Sequence, residues 1–555
     1  MKLLLVALAA LLFVPCAAAQ SSRTPQPTPK ADECSISGLV VALAGSIPLK
    51  RARIVLRNLD AQDSSLSSSS DANGHFELKG ITPGRFRLSV LRTGYVTQQY
   101  GQRKPNDPGS ILTLRPGQNL KDLLFRMLPS AVIAGRITDE DGEPVPAAQI
   151  FALREVYTQG RRELASETSV ATNDLGEYRL FGLRPGHYFV SAELPRQNRF
   201  GVQQDSDDKD VFTKMYYPGT PDSDRATAIV VKSGEEIPSV EILMRRVLAY
   251  RIHGRVYNLV NQQPGTGANL FLVKKSASLE SSFGQQVVPV EKTDGSFEIN
   301  SVLPGSYVLA ALWFNDGKSY SAQAPIEVGS SDIEGIQLTI VPGINISGRI
   351  AWDGPPSLQR DVLNVGALSV DTSFRQGGGF VTVSRANTFS LANISEGTYR
   401  AQVFGQSKDC YIKDVQYAGS SALQAGFSVV RGAISPLEIT ISSKGARLQG
   451  TVSDADGLPS PGVWVVLVPD APRRSRYELY KYQSTDQYGH FDLHGIAPGD
   501  YKLFSWEEVE NDAWQDPEFL QPFETKGEKI SVQDNDQKTL SLTAIKSAST
   551  AQQKQ

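Results

Sequence analysis

An internal repeat constrains this chain more than any other feature. An apolar residue, one variable position and a glycine recur five times, as Ile36-Ser37-Gly38, Ile133-Ala134-Gly135, Ile252-His253-Gly254, Ile346-Ser347-Gly348 and Leu448-Gln449-Gly450. Successive glycines lie 97, 119, 94 and 102 residues apart. Similarity at a near-fixed period is the mark of an array of like units, and units of this length can each bury a core of their own.

A second element follows each start. It reads Asn73-Gly74-His75-Phe76-Glu77-Leu78, Leu175-Gly176-Glu177-Tyr178-Arg179-Leu180, Asp294-Gly295-Ser296-Phe297-Glu298-Ile299 and Tyr488-Gly489-His490-Phe491-Asp492-Leu493. Ten residues after each glycine comes another, behind a proline: Gly84, Gly186, Gly305 and Gly499. The fourth repeat is degenerate, with Asn387 in the first position and Gly397 in the second. Alternating Phe and Leu put one strand face inward, Asn-Gly and Asp-Gly tolerate positive φ at the turn, and Pro-Gly reverses the chain into an aromatic strand such as Tyr188-x-Val190 or Tyr501-x-Leu503. Each unit then closes on another alternating strand, from Leu123-x-Phe125-x-Met127 to Leu437-x-Ile439-x-Ile441. About seven short strands per hundred residues predict an all-β chain, a tandem array of about five seven-stranded antiparallel β-sandwiches of the prealbumin or immunoglobulin kind. One short helical turn is expected at Asp516-Pro517-Glu518-Phe519-Leu520, with Asp as N-cap and Pro in first position.

The expected boundaries are a leader at 1–19, a linker at 20–33, repeats at 34–129, 130–246, 247–342, 343–443 and 444–546, and a tail at 547–555. The leader reading rests on Lys2, the apolar run Leu3 to Val14, and Ala17-Ala18-Ala19 before Gln20, the three parts of a secretory signal. The run is shorter than a membrane anchor needs, and Phe13 and Pro15 fit a lipid-attachment motif at Cys16 poorly. An exported chain with no later transmembrane segment is therefore expected, periplasmic, extracellular or on the cell surface. Joints of five to seven residues between repeats predict a semi-rigid array. The formal charge is −3, or −4 once Lys2 is removed, and no segment clusters Lys and Arg as a nucleic-acid footprint would.

The apolar-x-Gly starts, the Asp-x-x-Gly-x-aromatic strands and the Pro-Gly-x-Tyr/Phe strands resemble carboxypeptidase regulatory-like domains, within the prealbumin-like and collagen-adhesin B-type sandwiches and the wider carbohydrate-binding-like fold. Ile133 to Val190 and Leu448 to Phe504 match best. The resemblance implies a fold and an exported setting rather than a ligand. Some adhesin relatives carry an internal Lys–Asn isopeptide bond; Arg53-Ile54-Val55-Leu56-Arg57 lacks the lysine, so none is expected in the first repeat.

No catalytic residue, metal site or cofactor is expected, because no nucleophile elbow, metalloprotease helix or phosphate-binding loop is present. His490 and His494 share a strand face with Asp492 but stand ~13 Å apart on an ideal strand, too far to share one zinc. Asp139-Glu140-Asp141-Gly142 and Asp454-Ala455-Asp456-Gly457 read as hairpin turns, since Ile150 and Val465 stand where a calcium loop needs Glu. The candidate ligand-binding residues are Tyr216 and Tyr217 in the insertion of the second repeat, with Trp506 and Trp514 in the fifth; the competing reading is that these aromatics cover the ends of their own sandwiches. Cys34 and Cys410 read as two independent thiols, with a disulfide from first repeat to fourth as the alternative open to an exported protein. The function these features imply is a non-catalytic binding or scaffold protein, with a glycan as partner, or else an accessory docked on an envelope protein.

Overall fold

Each opening strand lies between two partners. The first, Cys34–Ala42, pairs antiparallel with His75–Ile81 and parallel with Asn119–Met127. Ala131–Thr138, Tyr250–Asn258, Ile344–Asp353 and Ala446–Ser453 hold the same place in the later repeats. The expected antiparallel sandwiches are present, with one parallel pairing in each repeat. Opening and closing strands run the same way, which the long crossover through the rest of each repeat permits.

This parallel neighbour accounts for the motif glycine. A β-carbon on Gly38 would sit 2.1 Å from the Leu123 carbonyl oxygen, and on Gly135 1.9 Å from that of Val240. On Gly254, Gly348 and Gly450 the distances to Ile336, Leu437 and Leu540 are 2.4, 2.6 and 1.9 Å. All are far inside van der Waals contact, so only glycine admits the closing strand at this separation. The turn glycines answer two needs, since a β-carbon on any of them would lie 2.4–2.6 Å from a carbonyl oxygen of the opening strand and their backbone is left-handed. Gly74, Gly176, Gly295 and Gly489 have φ between 72 and 79°, and the degenerate fourth repeat meets the backbone need with Asn387 at φ 59°, Asn being well suited among non-glycine residues.

The tyrosine two residues after the second glycine pins its own turn. Tyr188, Tyr307, Tyr399 and Tyr501 each donate a hydroxyl hydrogen bond of 2.8–3.0 Å to the carbonyl four residues upstream. Their rings point inward beneath a second sheet, which in the first repeat is ordered Ser65–Ser69, Arg53–Asn58, Gly84–Leu91 and then Leu112–Leu114.

The computed structural model describes residues 32–546 except 61–63, 103–104, 106–108, 195–209, 276–285, 317, 359–361 and 371–377. The leader, nearly all of the 20–33 linker and the 547–555 tail lie outside the described residues. Buried side chains gather repeat by repeat, within 34–127, 131–244, 252–340 and 344–441, with a further cluster within 446–542 joined by Tyr411. Helix is 4%, far below the globular third. Pro517–Leu520 is the one α-helical turn among the described residues, capped by the Asp516 carboxylate accepting the Glu518 N–H at 2.9 Å. No described helix is long and apolar enough to cross a membrane.

Cys34 and Cys410 are buried free thiols, which sets the disulfide alternative aside. Each is built into a separate core, Cys34 with its Sγ 3.0 Å from the Arg115 carbonyl oxygen and Cys410 with its Sγ 3.6 Å from that of Ser357. Burial also pushes the Cys410 thiol pKa up, away from a reactive thiolate.

Candidate functional site

The aromatic candidates of the fifth repeat are spent on packing. Its second sheet contains Trp464–Pro469 and Gly499–Trp506. Inward positions Val465, Leu467, Tyr501 and Leu503 join the sandwich core. Outward positions Val466, Val468, Phe504 and Trp506 join a second cluster with Trp514, Leu520 and Phe523. Residues 507–527 therefore fold over the outer face as a cover. Trp506 is 1% exposed and stacks on Phe504 at 4.7 Å, while Trp514 is 0% exposed. Neither offers a free ring to a ligand, so this assignment is corrected. The rings cover a sheet face rather than a sandwich end.

The second repeat does the same on a smaller scale. Tyr216 is buried against Leu153 and Leu164 on the outer sheet face, with the Lys214 ammonium 5.3 Å from its ring centroid. Tyr217 is partly buried against the main core of that repeat. These two are likewise packing residues here.

A longer-range feature explains the depth of the fifth-repeat cluster. Strands Gln149–Thr158 and Arg161–Ala171 of the second repeat form a long hairpin whose tip lands on it. Tyr157 meets Phe519 edge-on at 6.2 Å, and Tyr477 donates its hydroxyl to the Gln159 carbonyl at 2.7 Å. At Gly160 a β-carbon would be 2.7 Å from the Gln515 carbonyl oxygen. The first repeat also reaches the fifth. The Thr113 N–H donates to the Gln487 side-chain carbonyl at 3.0 Å, and the Gln487 amide donates back to the Thr113 carbonyl at 2.8 Å. Ile111 forms a parallel bridge with Asp486, and Arg115 stands over the Tyr488 ring at 5.6 Å. The array folds back on itself through non-covalent contacts. Combining Tyr157→Ala with Gln487→Ala should raise the radius of gyration in small-angle scattering while circular dichroism stays unchanged; an unchanged radius would refute this clasp.

Charge supports the hairpin. Burial would raise the Glu167 carboxyl, but Arg184, Arg154 and Tyr188 hold it below the usual range, Arg184 through bonds of 2.9 and 3.2 Å. A depressed carboxylate stabilises the fold fully above its unfolded value, about 4.3, and loses that contribution as pH falls through its folded value. Glu167→Gln should therefore lower the Tm at pH 7, with the two proteins converging toward pH 3 in thermal melts.

The histidine strand of the fifth repeat meets the fourth. His494 Nδ1 lies 2.7 Å from the Asp409 carboxylate and Nε2 2.9 Å from that of Asp492, while Arg447 forks onto Asp492 at 2.6 and 2.8 Å. Asp409, Arg447 and His494, with Lys408, Gly445, Asn535 and Gln537, line an open cleft of about 410 Å³. Both carboxylates have partners, so the arrangement fastens the joint. His490 goes elsewhere, 3.6 Å from Asp486. Among the described residues no grouping of His, Cys, Asp and Glu could hold a metal ion. In the two calcium-like turns, the Asp139 carboxylate accepts the N–H of Asp141 and Glu143, and the Asp454 carboxylate those of Asp456 and Leu458, leaving them as closed hairpin turns.

One sheet face keeps its aromatics in the open. On the second sheet of the fourth repeat, Phe380 is 62% and Phe404 48% exposed. Their rings meet edge-on, with centroids 5.2 Å apart at 77°. Neither belongs to a repeated motif, which is why the sequence did not single them out.

Residues 35–127 and 132–206 match the family model of the carboxypeptidase regulatory-like domain. No curated protein matches the chain. Among solved structures, the chain is similar to the Bacillus anthracis TIE protein at 12% identity and a TM-score of 0.16, over 56% of this chain and 51% of that one, so it spans about half of that protein. It is also similar to a streptococcal ancillary pilin (11% identity, TM-score 0.21, 56% of this chain and 100% of the other) and to BcpA, the major pilin subunit of Bacillus cereus (10%, 0.14, 55% and 99%). At these TM-scores no property of those proteins is carried over.

Proposed function

We propose that this chain, with carboxypeptidase regulatory-like segments among its building units, is an exported, non-catalytic scaffold that presents binding faces in a fixed arrangement. Its units are the five sandwiches with boundaries near Pro129, Arg246, Pro342 and Lys444, and its ligand is carbohydrate. The observation that carries the scaffold reading is the double attachment of the first and second repeats to the fifth. It spends a long hairpin and a strand edge on holding distant units together, and clustered catalytic groups have no part in it.

The test is a glycan array with the full exported chain, alongside scattering to confirm a single compact body. Binding to defined oligosaccharides supports the ligand class. The second reading, an accessory of a cell-surface assembly acting through protein contacts, is favoured by the eleven-residue strand Lys318–Val328, which lies at the end of its sheet and, beyond its bridge from Ser321 to Val341, leaves an edge where a partner strand can add. Specific co-purification with an envelope protein, without affinity for any sugar, would favour it over the first.

A further inference from the structure

We propose that the outer face of the fourth repeat is a binding site for a neutral pyranose, built by Phe380, Phe404, Gly366, Asn364 and Gln402. The proposal rests on the carbohydrate reading above and gives it a location. Strands Asn364–Ser369, Gly378–Thr382 and Gly397–Phe404 are neighbours in one sheet. Val365, Ala367, Val381 and Val403 pack on the core. With side chains alternating between faces, Asn364, Gly366, Phe380, Thr382, Gln402 and Phe404 project from the other side. Across the sheet Asn364 stands between Thr382 and Phe404, and Gly366 is opposite Gln402.

Two comparisons within the chain mark this face as unusual. In the fifth repeat the aromatic residues on the corresponding sheet are covered by inserted chain, and in the second the inserted Tyr216 packs on that sheet with Phe151 and Phe189 half-buried against it. In the fourth, the chain leaves Phe404 through Gly405 and enters Tyr411–Tyr417 on the opposite sheet. Two large rings are left about half in water, where isolated exposure would be ordinary but a contacting pair on one face points to a partner. Gly366 also has a steric role. A β-carbon there would lie 2.5 Å from two atoms of the Phe380 ring, so glycine lets that ring settle toward the sheet with its other side open.

The flanking groups select the ligand. A pyranose presents C–H bonds to an aromatic face and hydroxyls around its rim, so it suits a site that joins rings to neutral hydrogen-bonding side chains. Asn364 and Gln402 supply carboxamides that both donate and accept. Thr382 donates to the Asn364 side-chain oxygen at 3.0 Å, which orients that carboxamide. No ionised side chain stands at these six positions. Arg400, the next outward residue on its strand, donates to the Ser475 carbonyl at 2.8 Å. That bond holds the Arg400 guanidinium toward the Ser475 backbone, and at the six positions themselves an acidic sugar or a charged peptide would find no counter-charge. Two rings nearly at right angles give one platform and one wall, enough for a single sugar unit.

The experiment uses the full chain with neutral oligosaccharides (cello-, xylo-, manno- and malto-series) and oligogalacturonate as the acidic comparison, followed by titration calorimetry. Phe404→Ala and Gly366→Val should each weaken binding of the recognised neutral series at least tenfold. Phe314→Ala, which removes a comparably exposed ring from the third repeat, should leave it unchanged. Circular dichroism and thermal melts establish that each variant is folded, and Gln402→Ala replaces any that is not. Neutral-sugar binding undiminished by the fourth-repeat variants overturns this site while leaving the carbohydrate reading standing. Binding confined to oligogalacturonate overturns the neutral class, and no binding of either series overturns both the site and the carbohydrate reading.

Discussion

Gly450→Ala is expected to unfold the fifth repeat or to destabilise it by about 3 kcal/mol or more, above the usual range for an overpacked site. The added methyl would overlap the Leu540 carbonyl oxygen, a backbone atom in the closing strand. Relief requires moving that strand, and with it the parallel pairing from Arg447 to Ser453. Gly142→Ala is the control. That position has φ 82° but nothing within 4 Å of an added methyl, so it should cost about 1 kcal/mol through backbone strain alone. Denaturant melts of the two variants separate steric exclusion from conformational freedom. Equal losses would show that the shared motif reflects turn-like backbone needs and not close strand approach.

Trp514→Ala should cost about 3–5 kcal/mol, the range for deleting a large buried aromatic. Trp514 touches Trp464 at 5.6 Å and Tyr482 at 5.2 Å between ring centroids, and its removal hollows the cover that 507–527 lays over the sheet. Because the tip of the second-repeat hairpin rests on that cover, this loss should also weaken the clasp. Phe404→Ala, on an open face, should change the melting temperature little. A small shift for Trp514→Ala in thermal melts would contradict its packing role.

The repeated parts of the fold were legible because each motif has a local or near-neighbour cause. The opening glycine answers one carbonyl, the turn glycine a positive φ and a carbonyl of the opening strand, and the tyrosine after the second glycine a carbonyl four residues away. Asn387 shows that even the degenerate repeat kept the backbone requirement while losing the letter. Alternation could not reveal which of a strand's two faces is wet. Phe380-Val381-Thr382-Val383 has apolar residues on both faces, so Phe380 reads like core. Trp506 and Phe504 show the converse, since an outward position was buried by a cover that lies next in sequence. Nor does any local pattern connect Thr113 to Gln487, because hydrogen bonds across 374 residues leave no period behind.

That last contact bears on how the protein is made. Chains emerge from the ribosome at about 5–20 residues per second, so the Leu112–Leu114 edge waits roughly 20–75 seconds for the turn at Asp486 that will meet it. During synthesis the first repeat is complete but carries an unpaired strand edge, the kind of surface that recruits stray strands. Its brevity, three residues, limits what a passing chain could gain by pairing there before the proper partner arrives.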